Sequence, residues 1–244
     1  MEVLCITMFN SNKHINIRIV SIDGNIGSGK STLLNNAMTH FKLNKNIKFL
    51  TEPIDLWNEI KDENNVTILK KFYENQSKYA FSFQIMAYIS RLSVLRKCVN
   101  DIYNNANSID DTNYIIITER SLLTDRHIFA KMLYDQNKIE IINYVIYLKW
   151  FDEFINEYPI DKIIYINTSP TICHERICKR SREGEDVIAI EYLNECHKYH
   201  TEFIYNQASK HEIVELNGNE DLFVNNEILK SWLELIELFI LHKS

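Results

Sequence analysis

The chain has 244 residues, 45% of them hydrophobic and 25% charged, a size and balance that suit one α/β domain with a sizeable core. Acidic residues outnumber basic ones by 33 to 27, giving a formal charge of −6, which argues against a broad nucleic-acid or anionic-membrane surface. The five cysteines (Cys5, Cys98, Cys173, Cys178, Cys196) are scattered and odd in number, so they read as reduced thiols rather than a disulfide framework.

Met1 to His14 carry a single Lys and no basic start leading into a long apolar stretch. They make a poor signal or transit peptide and are expected to form a loose arm ahead of one domain spanning 15–244. No apolar run is long enough to cross a bilayer, and a cytoplasmic location is expected. Ile15 to Ile22 is rich in β-branched residues and predicts a first strand, with a helix over Leu33 to Leu43. Asn46 to Thr51 predicts a second strand ending at Glu52-Pro53, where the proline biases Glu52 toward extended backbone. Val66 to Tyr73 and Tyr79 to Asn100 read as helices, the second with Phe83, Ala87, Ser90 and Val94 along one face.

After a polar loop, Tyr114 to Thr118 predicts a buried strand that ends in Glu119-Arg120-Ser121. Two helices are expected next, Leu122 to Tyr134 and Lys138 to Glu157, then a strand over Lys162 to Asn167. Pro170 starts a helix carrying Arg176 and Arg180, which breaks at Ser181 to Asp186 and resumes as helix over Ile190 to Tyr205. A last strand, Ile213 to Leu216, and an amphipathic helix, Leu222 to Leu241, close the chain. Strands alternate with helices throughout, which predicts a five-stranded parallel sheet covered on both faces.

Three of the five glycines fall in Gly24-Asn25-Ile26-Gly27-Ser28-Gly29-Lys30-Ser31-Thr32. The stretch fits G-x-x-x-x-G-K-[ST], whose backbone amides cradle phosphates, whose Lys reaches the outer phosphates and whose hydroxyl binds Mg²⁺. A strand before it and a helix after it supply the right context. This loop is expected to bind a nucleoside triphosphate. The D-x-x-G and N-K-x-D signatures of GTPase switches are absent. Glu119 stands at a strand end where an acid for Mg²⁺ is expected, and Glu52 ends a second strand facing the same crevice. Cys173, His174, Cys178, Cys196, His197 and His200 match no familiar zinc spacing.

These residues, with Trp57, Phe83-Gln84, Arg91, Asp125-Arg126 and Arg176 to Glu185, make the chain resemble the deoxyribonucleoside kinases. The resemblance covers most of Ile15 to Asp221, in the family's order and spacing. It implies an α/β P-loop kinase with an arginine-rich lid at about 179–188, using ATP and Mg²⁺ to phosphorylate a deoxynucleoside 5′-hydroxyl. By that resemblance Glu52 is the general base and Arg120 aligns the hydroxyl. Gly24 to Thr32 hold the phosphates, while Ser31 and Glu119 position Mg²⁺. Arg176, Arg180 and Arg182 close over ATP, and Glu220, Asp221 and Leu222 lie against adenine.

The resemblance also implies that Tyr73 and Glu185 meet the sugar 3′-hydroxyl. Gln84 reads the base edge, Phe83 and Phe129 supply stacking faces, and Trp57 and Leu69 complete the wall. Arg91 and Asp125 sit at the far end of the base pocket, as charged residues do in the deoxycytidine and deoxyguanosine kinases. A preference for deoxycytidine or purine deoxynucleosides over thymidine is therefore expected, as is a homodimer built on the long helices. The alternatives are a broad or thymidine-preferring nucleoside kinase and, from another class, a P-loop ATPase or nucleotide-binding regulator.

Overall fold

A computed structural model describes residues 15–106, 113–180, 184–185, 187–220 and 226–242. The arm over 1–14 lies outside the described residues. Five strands form one sheet: β1 (Asn16–Gly24), β2 (Ile47–Leu50), β3 (Asn113–Glu119), β4 (Lys162–Asn167) and β5 (Glu212–Asn217). All neighbours pair in parallel, in the order β2-β3-β1-β4-β5. The expected architecture is the one observed.

Parallel strands need crossovers, and these strands have the near-continuous apolar character that burial on both faces demands. Alternation divides them cleanly. Ile116 and Ile163 face a core shared with α4 (Gln76–Asn105), α7 (Ile141–Phe154) and α9 (Ile190–Gln207). Ile115, Ile117, Ile164 and Ile166 face the opposite core, against α1 (Lys30–His40) and α10 (Asn226–Leu241). Ile116, Ile117, Ile163 and Ile164 are completely buried, each worth roughly 1.5–3 kcal/mol by transfer alone. Buried Lys162 donates to Glu212 Oε2 (2.9 Å) and to the carbonyls of Phe239 (3.0 Å) and His242 (3.1 Å). The end of α10 is thereby fastened to the sheet.

Helices differ from expectation where local signals are weak. The helix α1 starts three residues early, directly at Lys30, and a short α2 (Ile54–Glu59) follows Pro53. Thr67 caps α3 (Ile68–Glu74) by accepting from Lys70 N, and Asn75 caps α4 by accepting from Lys78 N. The helix expected over Leu122 to Tyr134 is divided into α5 (Leu122–Thr124), a wider π-helical turn (Asp125–Ala130) and α6 (Lys131–Asp135). Such wide turns concentrate at functional sites. The helix α8 (Pro170–Arg180) begins at its proline as expected. No helix among the described residues is long and apolar enough to cross a membrane.

On α7, Ile142, Val145, Ile146 and Trp150 lie three to four residues apart and are exposed, as is Ile141. Trp150 is 53% exposed, unusual for so large an apolar side chain.

Candidate active site

The carboxyl ends of β1, β2 and β3 open into a cavity of about 650 Å³. The register pairs Ile22 with Glu119 and Gly24 with Ile166, so the loops that follow these strands converge on one crevice. That is where open α/β sheets hold ligands.

The loop after β1 bends where only glycine serves. Gly27 has φ 79°, and a Cβ there would stand 2.5 Å from the carbonyl oxygen of Cys173. Gly29, at φ 103°, caps α1 with no side-chain hydrogen bond, so the first turn of α1 presents its backbone to the cavity. Ile26 to Thr32 line the cavity, whereas Gly24 and Asn25 are buried behind it. Asn25 Nδ2 donates to Leu193 O (2.9 Å) and Thr168 Oγ1 to Ser28 O (3.1 Å), bracing the loop from outside. Lys30 Nζ donates to Asn25 O at 2.6 Å. Burial, with the neighbouring charge of Arg120 adding to it, lowers the Lys30 amine from 10.5 to about 7.

Ser31 Oγ donates to Glu119 Oε1 at 2.5 Å. These two hard oxygen ligands at the mouth of a phosphate-binding loop fit Mg²⁺, which takes one or two carboxylates and fills its remaining positions with water and phosphate oxygens.

Across the cavity Glu52 lies between two arginines, with Arg91 Nη2 and Arg120 Nε each 3.3 Å from Oε1. Burial opposes ionisation of Glu52, but Arg120, Arg91 and Lys30 outweigh it and hold the carboxyl below its ordinary value. Arg91 is shared more widely. Its Nε and Nη2 grip Asp125 at 2.9 and 3.2 Å, and Nη1 donates to Glu119 O at 3.2 Å. Burial pushes the Asp125 carboxyl up against the pull of Arg91. Arg120 has φ 63°, a left-handed conformation that costs a non-glycine residue on the order of 1–3 kcal/mol. Its Nη1 donates to Gly24 O at 2.8 Å and its guanidinium lies 4.8 Å from the Phe129 ring centre.

The inner half of the cavity is aromatic. Phe83 stacks on Phe72 with centroids 4.5 Å apart and meets Trp57 edge-on at 5.5 Å. Leu69, Tyr73, Phe129 and Tyr192 complete the lining, with Tyr73 and Tyr192 edge to face at 5.9 Å. Gln84 is 2% exposed, and its Oε1 has no hydrogen-bond partner among the described residues. A buried amide oxygen left in that state costs about 1–3 kcal/mol, which a ligand donor would offset.

The arginines of α8 do different things. Arg176 donates from Nη1 to Ser28 O (3.3 Å) and Gly218 O (2.9 Å) and from Nη2 to Glu220 O (2.9 Å). It ties the phosphate loop to the segment after β5. Arg180 pairs with the nearly buried Glu185. Glu220 lines the cavity, while Arg182, Asp221 and Leu222 lie outside the described residues.

Sequence reasoning missed Phe72, Tyr192, Lys179 and Trp232, which also line the cavity. Phe72 was within reach of it, since it precedes Tyr73 on a predicted helix. Lys179 stands three residues after Arg176 on another predicted helix, whereas Tyr192 and Trp232 follow no spacing that points inward.

A profile described as deoxynucleoside kinase matches residues 20–240. A fowlpox virus (strain NVSL) protein named as a probable deoxycytidine kinase is 34% identical over 228 residues, 91% of this chain and 87% of its own. The mitochondrial deoxyguanosine kinase of Xenopus laevis is 28% identical over 242 residues, covering 90% of this chain and 88% of its own. The mitochondrial thymidine kinase 2 of Homo sapiens is 28% identical over 188 residues, 76% of this chain and 64% of its own. With the phosphate loop, the strand-end carboxylates and the two arginines gathered around one cavity, the chain belongs to the deoxynucleoside kinase family, enzymes that phosphorylate nucleosides.

Proposed function

We propose that the chain transfers the γ-phosphoryl group of ATP to the 5′-hydroxyl of a deoxyribonucleoside, preferring deoxycytidine or a purine deoxynucleoside to thymidine. One observation supports this above the rest: Glu52, held ionised between Arg91 and Arg120, faces the phosphate loop across a single cavity. A sugar hydroxyl is a weak nucleophile, and phosphoryl transfer depends on positioning and charge stabilisation.

Glu52 accepts the 5′-hydroxyl proton, and Arg120 keeps that hydroxyl and Glu52 in line with the phosphate. Lys30 and the amides of Gly27 to Thr32 bind the outer phosphates, with Gly24 and Asn25 fixing the loop behind them. Ser31 and Glu119 would hold Mg²⁺, which supplies neutralisation of the charge shared by the β- and γ-phosphates. Tyr73 and Glu185 bind the 3′-hydroxyl, and Gln84 pairs with the base between Phe83 and Phe129, walled by Trp57 and Leu69. Arg180 and Arg182 complete the lid, while Arg176 sets the distance between the phosphate loop and the Glu220 segment. Glu220, Asp221 and Leu222 lie against adenine.

The base preference follows from Arg91 and Asp125. A buried Asp125 carboxyl oxygen, held by Arg91, accepts from an exocyclic amine, whereas thymine offers O4 and a methyl group there. Side-by-side phosphorylation of the four deoxynucleosides tests the proposal: turnover of deoxycytidine or a purine well above thymidine is expected. Thymidine as the best substrate would overturn the preference.

Lys30 gives a second expectation. A group at about 7 is largely neutral one pH unit higher, and triphosphate binding draws a proton onto it. Calorimetric titration with an ATP analogue, in buffers of different ionisation enthalpy, should show uptake of nearly one proton per site about one unit above that pH. One unit below it, uptake should almost vanish. Heats independent of the buffer at both pH values would rule out this protonation.

A homodimer is proposed through α4 and α7, supported by the exposed stripe of Ile142, Val145, Ile146 and Trp150 and by exposed Ile89 on α4.

A further inference from the structure

Asp23 has no part in the scheme above, yet it is a completely buried carboxylate at the junction of β1 and the phosphate loop. Its side chain is directed to the exit of β3. Ser21 Oγ donates to Oδ2 at 2.8 Å, and Ser121 Oγ approaches the same oxygen at 3.5 Å. Ser121 N donates to Oδ1 at 3.3 Å, and Thr124 Oγ1 makes a short bond to Oδ1. Among the described residues these partners are hydroxyls and an amide, and none is a cation. Burying a carboxylate without a cation is costly unless its oxygens are well supplied with donors, and here they are.

The pattern around Asp23 gives that arrangement a direction. Arg120 N donates to Ile22 O at 3.0 Å, and Arg120 Nη1 donates to Gly24 O at 2.8 Å. Asp23, between those two residues of β1, takes the N–H of the residue after Arg120. Three successive residues of β1 thus pin one left-handed turn, at φ 63°. The bond from Thr124 extends the hold to the last residue before the π-helical turn that carries Asp125 and Phe129. Ser121 Oγ also accepts from Thr124 N at 3.1 Å, so the two anchors brace each other.

We infer that Asp23 is a positioning residue for phosphoryl transfer: its carboxylate locks the Arg120 turn, and through Thr124 the start of the turn bearing Asp125 and Phe129, to the strand that ends in the phosphate loop. The inference rests on the kinase reading given above. Asp23 touches no reacting atom. It acts by fixing where the Arg120 guanidinium stands relative to Glu52 and the phosphates, a geometry in which an error of about 1 Å can cost on the order of 100-fold in rate.

The test is a double-mutant cycle on kcat with Asp23→Ala, Arg120→Ala and the pair. Alone, Asp23→Ala should lower kcat roughly 100-fold while the KM for ATP moves less than about threefold. In the Arg120→Ala background the same change should cost less than about threefold, because the group it positions is gone. Asp23→Asn, whose amide oxygen still accepts from Ser121 N, should retain kcat within about tenfold of wild type. Equal losses in both backgrounds, or a loss shared evenly between kcat and nucleotide affinity, would make Asp23 a stability element only and overturn the inference. If Asp23→Ala does not fold, Thr124→Val replaces it in the cycle with the same criteria. Amide exchange over 119–124 reads the turn without catalysis. It should quicken there in Asp23→Ala or Thr124→Val, and unchanged protection would also overturn the inference. A wild type that phosphorylates no deoxynucleoside would instead sink the kinase reading, and that exchange would still report on the turn.

Discussion

Replacing Glu52 with Gln is expected to lower kcat for deoxynucleoside phosphorylation by roughly 10²–10⁴-fold, the range a positioned general base contributes. The substitution keeps the size of the side chain and an acceptor for Arg91 and Arg120, so nucleotide affinity should hold within a few-fold. Those arginines keep the native carboxyl below its ordinary value, where it is ionised throughout the neutral range. Protonation of Glu52 should therefore not slow the native enzyme until the pH falls below the usual glutamate range, about 4.3. Steady-state kinetics across pH check both parts. A Glu52→Gln enzyme within tenfold of native kcat would remove Glu52 from the chemistry.

The paired change Arg91→Met with Asp125→Ala is expected to shift the ratio of kcat/KM for deoxycytidine over thymidine toward thymidine by about one to two orders of magnitude. An unmatched buried polar pair beside the thymine methyl costs about 1–3 kcal/mol, and each 1.4 kcal/mol is tenfold. Both residues must change. Arg91→Met alone leaves Asp125, 2% exposed, as a buried carboxylate without its partner, a defect typically worth 3–5 kcal/mol of stability. Arg91 also holds Glu52, so the paired variant should lose kcat with every substrate even as its preference changes. An unaltered ratio would refute this account of the pocket.

Much of this site could be read from the sequence because its chemistry is local. The strand Lys162–Asn167 was predicted to the residue, being an apolar run closed by polar residues at both ends. The phosphate loop announced itself through three glycines, and Glu52 and Glu119 through their places at strand ends. What escaped notice is set by tertiary hydrogen bonds. Periodicity does not register the single extra residue of the π-helical turn at Asp125–Ala130, beside which Thr124 binds Asp23. The six residues of α2 are too few to show a face. Nothing in the spacing of Arg176 says that its guanidinium binds three backbone carbonyls, one of them in the phosphate loop and two beyond β5. Nor does it say that Arg91 bridges Asp125 and Glu52. Asp23 did leave a trace, as a charged residue closing an apolar strand, but the Ser121 and Thr124 it binds lie about a hundred residues away.

The most direct measurement is the identity of the phosphoryl acceptor. ATP, Mg²⁺ and deoxycytidine are incubated with the enzyme, and ADP and deoxycytidine 5′-monophosphate are quantified together by mass spectrometry, with deoxyguanosine and deoxyadenosine in parallel. Equal amounts of the two products from at least one of these substrates, and almost no ADP without a deoxynucleoside, is the expected result. ADP released at the same rate with or without any deoxynucleoside, and no nucleoside monophosphate, would contradict the transfer and leave only a site that hydrolyses ATP.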